Sequence, residues 1–99
     1  MKKKFAFLLM GNHYEPEHHQ ACFETEKQLT YIFTVKDFEA AKEKVGELAK
    51  QGFGAVELCG AFGEEKTREL IALTEGRIAM GFVTHFPEQD PLFMSFFGK

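Results

Sequence analysis

The chain has 99 residues, of which 44% are hydrophobic and 27% are charged, and its formal net charge is −3. This length favours one domain, residues 1–99, built around one core. Apolar residues interspersed with charges of both signs exclude an intrinsically disordered protein. The negative net charge creates no general attraction for nucleic acid, so no nucleic-acid partner is expected.

The amino terminus has only part of the pattern of a secretory signal peptide. Lys2–Lys4 precede the apolar run Phe5–Met10, which is shorter than the ~7–15 residues of a signal peptide, and no small-residue cleavage site follows. The run is also far shorter than the ~20 residues that cross a bilayer. We therefore expect a cytoplasmic protein without a membrane partner, with Cys22 and Cys59 as free thiols.

Two strands and a short helix are predicted in the first third of the chain. Residues 5–10 are continuously apolar, which is typical of a strand buried on both faces. Residues 15–23 indicate a short helix, because Pro16 suits the first helical position and the acids beside it favour a helix amino terminus. Residues 29–35 are rich in β-branched and aromatic side chains, which predicts a second strand.

The middle of the chain predicts a helix followed by a strand. Asp37 is a suitable capping residue for a helix that runs to about Gln51, with apolar residues at steps of three and four. Gly52 stands where a left-handed carboxyl-terminal cap is needed. Residues 55–59 form a short apolar segment and predict the third strand.

A second helix, a fourth strand and a tail complete the predicted elements. The helix begins near Gly63 and ends at Gly76, which again provides a glycine cap. Residues 77–86 are almost continuously apolar and predict the fourth strand. Residues 87–99 are interpreted as an apolar tail, since prolines at 87 and 91 discourage a regular helix start.

The order β-(α)-β-α-β-α-β predicts an α/β fold with a small, four-stranded, mainly parallel sheet connected by right-handed crossovers. A ferredoxin-like α+β sandwich is the alternative. Two substantial helices cannot cover both faces of such a sheet, so the Phe-rich tail or a second copy of the protein must contribute. The tail would otherwise expose several hundred Å² of apolar surface. We therefore expect a homodimer or a dimer-based assembly.

In a parallel sheet, the carboxyl ends of the strands lie at one edge, where open α/β sheets bind their ligands. The residues predicted at this edge include two imidazoles, a carboxylate and a thiol. The candidate catalytic residues are Glu57, Cys59 and His85. The candidate ligand-binding residues are His13, Gly60, Phe62 and Gly63.

These residue types suit acid–base or nucleophilic chemistry. Glu57 lies in an apolar strand, where a carboxylate is either a general base or a member of a structural network. Cys59 precedes a helix amino terminus and is either a nucleophile activated by His13 or His85, or an inert core thiol. Two imidazoles with Glu57 could also form a metal site, but their spacing matches no metal signature, so no metal is predicted and the cofactor stays unknown.

The turn Gly60–Gly63 combines spaced glycines with a helix amino terminus, an arrangement that suits a bound anion. It lacks the lysine of a P-loop and the third glycine of a dinucleotide fingerprint. The leading hypothesis is therefore a protein that binds a small anionic metabolite at the carboxyl edge of the sheet. The alternative is a non-catalytic homo-oligomeric protein with a structural or interaction role.

The segment Glu57-Leu-Cys-Gly-Ala-Phe-Gly63 resembles the E-L-C-G-x-F-G signature of a family of small uncharacterised prokaryotic proteins. The Pro-x-x-His segment at Pro16 and the Val-Lys-Asp entry to the helix at Asp37 support this resemblance, which extends to about Val83. Ala61 stands where a second glycine is typical of the family. The resemblance implies the α/β fold and the location of a site, and it implies no particular chemistry.

Overall fold

The computed structural model describes residues 1–98, which form one mixed sheet of five strands together with three α-helices. The strands are β1 (Lys3–Met10), β2 (Ala21–Glu24), β3 (Gln28–Val35), β4 (Ala55–Leu58) and β5 (Ala79–Phe82). The helices are α1 (Phe38–Lys50), α2 (Gly63–Leu73) and α3 (Asp90–Phe97), and a 3-10 turn, Pro87–Gln89, precedes α3. The strand order is β2-β3-β1-β4-β5.

The α/β class is confirmed, and four of the five strands are parallel. The remaining strand, β2, lies at one edge of the sheet and pairs antiparallel with β3. The parallel crossover topology differs from the ferredoxin-like alternative. The helix after Asp37 is also confirmed: the backbone N–H of Ala40 donates to Asp37 Oδ1 at 2.9 Å, which satisfies one of the free donors at the helix start.

The prediction of a helix over residues 15–23 is wrong, and it accounts for the difference in strand number. Only one turn forms here, in which the N–H groups of His18 and His19 both donate to Glu15 O at 2.9 Å. The chain then extends, and Ala21–Glu24 pairs with β3. A short isolated helix is marginally stable, whereas pairing satisfies backbone groups along the edge of β3.

Both α1 and α2 cover the same face of the sheet. The connections β3-α1-β4 and β4-α2-β5 cross the sheet in the same direction, so the right-handed rule places both helices on one side. The core lies between them and the sheet. Its residues from the strands are Ala6, Leu8, Phe33, Val35, Val56 and Leu58, and its residues from the helices are Ala41, Val45, Leu48 and Leu70.

We call the other side of the sheet the open face, and its central residues are Phe5, Phe7, Leu9, Ile32 and Glu57. The strand register places these side chains on one side, because residues directly paired in a sheet share a face. A helix between β1 and β3 would cover this side, but that connection forms a turn and β2 instead. Burial of β1 on both faces is therefore incorrect for the single chain: Ala6 and Leu8 are fully buried, while Phe5, Phe7 and Leu9 are half-buried.

The carboxyl-terminal segment forms a helix where the sequence indicated an irregular tail. Pro91 lies in the first turn of α3, where its missing N–H costs no hydrogen bond. The main contacts of α3 are with the 3-10 turn that precedes it. The radius of gyration is 14.0 Å, against about 13 Å for a compact chain of 100 residues. Within residues 1–98, no helix combines the length and the apolar character required to cross a membrane.

Candidate functional site

The carboxyl ends of β1 and β4 lie side by side at the centre of the sheet. After β1 the chain continues to β3 on one side of it, and after β4 it continues to β5 on the other side. The direction of the connections therefore changes between β1 and β4. Ligands of open α/β sheets bind in the crevice at such a point. The segments after the two strands, Gly11–His13 and Cys59–Gly60, border this position.

Cys59 links the two strand ends. Its Sγ accepts a hydrogen bond from the N–H of Met10 at 3.3 Å, and its own N–H donates to Leu8 O at 3.1 Å. The side chain is half-buried and packs against the core. The thiol therefore satisfies a backbone donor at the end of β1, which is a structural role independent of any reaction.

The turn from β4 into α2 brings the predicted glycines to the edge. The N–H of Phe62 donates to Cys59 O at 3.1 Å, and Gly63 has φ +72°, a conformation that favours glycine. No side chain caps the amino terminus of α2. The N–H groups at this terminus and the positive end of the helix dipole therefore remain available to an anion or to water.

Phe62 lies in the core and is 3% exposed. Its ring packs edge-on against the ring of Phe38, with the centroids 6.4 Å apart. A ligand at the sheet edge would meet the backbone of Phe62 and not its ring. A ligand contact of the Phe62 side chain stays a prediction. The structure shows that this ring packs in the core.

Glu57 lies on the open face and its side chain is exposed, which corrects the expectation of a carboxylate buried in a core strand. It pairs in register with Phe7 on β1 and with Gly81 on β5. Side chains alternate between the two faces along β4. Val56 and Leu58 therefore enter the core under α1 and α2, and Glu57 lies on the other face of the sheet.

The two imidazoles predicted at the edge belong to separate local structures. His13 is exposed and stacks on Tyr14, with ring centroids 4.3 Å apart. His85 Nε2 lies 2.6 Å from Asp90 Oδ1, and its ring stacks on Phe93 at 4.0 Å. Among residues 1–98, no three His, Cys, Asp or Glu side chains are grouped so that they could hold a metal.

His85 thus connects the end of β5 to α3, a contact that the sequence did not predict. The spacing between His85, Asp90 and Phe93 predicts this contact only if residues 90–97 are known to form a helix.

Sequence reasoning also missed the role of Gly81. This glycine lies inside an apolar strand and leaves room for the side chain of Glu57.

Two concave regions are present among the described residues, one at the amino ends of the strands and one at the carboxyl end of β3. A groove of about 630 Å³ at the amino ends of the strands is lined by Lys2, Lys3, Lys4 and Gln28, among other residues. A smaller cavity of about 180 Å³ lies between the β1–β2 connection and α1. At the groove, Lys4 Nζ donates to Gln51 O at 3.0 Å. The carboxylate of Glu24 pairs with Lys2 and offsets one of the positive charges that line the groove.

The chain was compared with families, curated proteins and solved structures. The model of a family of unknown function, DUF6506, matches residues 3–98. No curated protein matches the chain, and no solved structure matches it. The match agrees with the expectation of an uncharacterised family, while the E-L-C-G-x-F-G signature and a prokaryotic origin stay predictions.

Proposed function

The chain belongs to the DUF6506 family of unknown function, and we propose that it is a self-associating α/β protein in which α3 of each copy covers the open face of the other. A single observation carries this proposal: α3 presents a continuous apolar surface that its own sheet does not cover. The occupant of that surface is a second copy of this chain, because the same chain also has an uncovered apolar sheet face.

The exposed phenylalanine area of the carboxyl-terminal segment lies near the upper limit for the surface of a monomeric protein. Phe86 is 73% exposed and Phe96 is 81% exposed. With about 200 Å² for a fully exposed ring, the four phenylalanines of this segment together expose roughly 500 Å². Monomeric proteins seldom tolerate patches larger than about 300–600 Å². The exposed large apolar residues are Phe86, Leu92, Phe93, Met94, Phe96 and Phe97.

The open face offers a complementary surface. Phe5, Phe7, Leu9 and Ile32 are half-buried there, and Phe23 on the edge strand is 56% exposed. Together with α3, this face can supply the roughly 800 Å² per partner that a stable interface buries. A reciprocal arrangement uses both surfaces twice, as two-fold symmetry requires of a dimer.

The test is the mass of the full chain in solution. Light scattering between roughly 1 and 100 µM should give twice the mass of the 11.3 kDa chain. A mass of one chain over that whole range would contradict the proposal, and it would indicate that α3 folds back onto its own sheet. The measurement should be repeated in high salt, where an apolar interface persists and an ionic one weakens.

A second candidate function is the binding of a small anionic metabolite at the carboxyl edge of the sheet. The observation that favours it is the uncapped amino terminus of α2 beside the point where the strand order changes direction. Gly60 and Gly63 would allow close approach to the backbone, and His13 lies at the end of the neighbouring strand. Glu57, Cys59 and His85 stay candidate catalytic residues in this hypothesis.

Thermal denaturation in the presence of inorganic phosphate and simple carboxylates tests the second candidate. A ligand that binds only the folded protein raises its stability by about 2.7 kcal/mol at a hundredfold excess over Kd. Gly63→Ala should abolish the shift, because it strains the turn and crowds the anion position. Gly46→Ala in α1, where a Cβ has open space, is the matched control. Equal shifts in both variants would contradict an edge site.

A further inference from the structure

The groove at the amino ends of the strands lies at the end of the sheet opposite the candidate edge site. Residues at the start of β1 and β4 line it, and these two strands are parallel neighbours. Its volume of about 630 Å³ is within the range of roughly 300–1,000 Å³ for pockets that hold small molecules. All of its lining residues belong to one chain, so the groove does not require the proposed dimer.

Positive charge is concentrated at this groove. Lys2, Lys3 and Lys4 line it, and none of the described residues that line it is Asp or Glu. Glu24 compensates the charge of Lys2, whereas no ion pair within residues 1–98 includes Lys3 or Lys4. Two ammonium groups therefore lack a carboxylate partner here, although the net charge of the chain is −3.

Two contacts hold the ammonium group of Lys4 in place. Its Nζ donates to Gln51 O at 3.0 Å and lies 5.6 Å from the ring centroid of Phe53, which is 5% exposed. An ammonium group has three donors, and the carbonyl is neutral, so the charge and further N–H groups are available to a ligand. Because the side chain is already ordered, binding costs less conformational entropy than it would at a free lysine.

The remainder of the groove is mostly apolar. Phe5 and Ala55 line it and are direct register partners on β1 and β4. Gly52 and Gly54 line it as well, and a Cβ added at either glycine would meet open space. No side chain therefore fills the groove at these two positions. A ligand can bury an apolar body here, which stabilises binding in proportion to the area removed from water.

We infer that this groove binds a small organic carboxylate, with the carboxylate beside Lys4 and the apolar body beside Phe5 and Ala55. Lys3 adds positive potential at the same end of the sheet. A singly charged carboxylate is favoured over a phosphate group, because the helix terminus at this end is the carboxyl terminus of α1, at Gln51. Its dipole opposes a high density of negative charge, and phosphate groups bind instead at helix amino termini.

The experiment titrates the full, isotope-labelled chain with octanoate and follows its backbone amide signals by nuclear magnetic resonance. Saturable shifts are expected at Gly52, Gly54 and Ala55, and none at Gly46 in α1. The matched compounds are 1-octanol, which has the same body without the charge, and acetate, which has the charge without the body. Each should bind about tenfold more weakly than octanoate or not at all.

Lys4→Gln should lower the octanoate affinity about tenfold. Lys66→Gln is the matched control, because Lys66 Nζ lies 5.7 Å from the ring centroid of Phe38. Both substitutions remove one positive charge and a lysine–ring contact, but Lys66 belongs to α2 and does not line the groove. The octanoate affinity of Lys66→Gln should equal that of the wild type.

Three results would overturn the inference. The first is the absence of saturable shifts at the groove, including shifts found only at Gly60 and Gly63, which would assign binding to the carboxyl edge. The second is equal affinity for octanoate and 1-octanol, which would show an apolar surface without anion recognition. The third is an equal loss of affinity in Lys4→Gln and Lys66→Gln. The comparison of the three compounds on the wild-type chain requires no variant to fold.

Discussion

Deletion of residues 91–99 is expected to abolish the proposed dimer and to yield monomers or aggregates. The deletion removes five of the large apolar side chains exposed by α3 and its end, and it leaves the open face without a covering partner. Interfaces depend on a few central aromatic residues, each worth about 2 kcal/mol or more, so the loss should weaken association at least about a hundredfold. Sedimentation velocity over a concentration series measures it.

Two single substitutions make the test specific. Phe96→Ser removes an 81% exposed ring from α3, whereas Leu73→Ser removes a 48% exposed side chain from the end of α2. Both lower surface hydrophobicity, but only Phe96 belongs to the proposed interface. Equal effects of the two substitutions, or a truncated protein that remains a dimer, would show that the copies associate through another surface.

Phe62→Ala is expected to lower the free energy of unfolding by about 3–5 kcal/mol. The ring is 3% exposed and packs against Phe38 at the start of α1, so truncation leaves a cavity between the two helices and the sheet. The free energy of unfolding of a natural domain is only about 5–15 kcal/mol, so this loss is a large part of the total stability. Urea denaturation followed by circular dichroism measures the change.

Phe62→Leu and Phe23→Ala are the controls for this prediction. The leucine retains most of the volume and should cost less than about 1.5 kcal/mol. Phe23 is 56% exposed on the edge strand, so its truncation should change the stability of the monomer far less. If Phe62→Ala unfolds at the same urea concentration as the wild type, the ring does not stabilise the core and a ligand contact becomes the better explanation.

The periodic and strongly apolar elements could be predicted from the sequence. The helix after Asp37 follows from its cap and its apolar stripe, and β1, β3 and β4 follow from runs of apolar residues between turn residues. The position of the turn from β4 into α2 followed as well, because Gly60 and Gly63 mark the place where the strand ends and the helix begins. These features depend on interactions between residues close in the chain.

Residues 15–24 and 90–97 could not be assigned from local patterns. Ala21–Glu24 has no strong preference, and it becomes a strand because the edge of β3 offers hydrogen-bonding partners. The α3 segment contains a proline that suits either a helix start or an irregular tail. The helical form of this segment also brings His85 into contact with Asp90 and Phe93. The imidazole is therefore part of a contact between the end of β5 and α3.

The exposure of Glu57 is the clearest example of a feature that neighbouring residues in the chain do not predict. Its chain neighbours, Val56 and Leu58, indicate a core strand, and that prediction is correct for both of them. The exposure of Glu57 depends on the other face of the sheet, and that face is open because both crossovers pass over the same side. Local residue patterns thus establish the class of fold and the position of the turn into α2. Which sheet face lies open, and therefore whether Glu57 is exposed, depends on the strand order. The strand order is set by contacts between residues far apart in the chain.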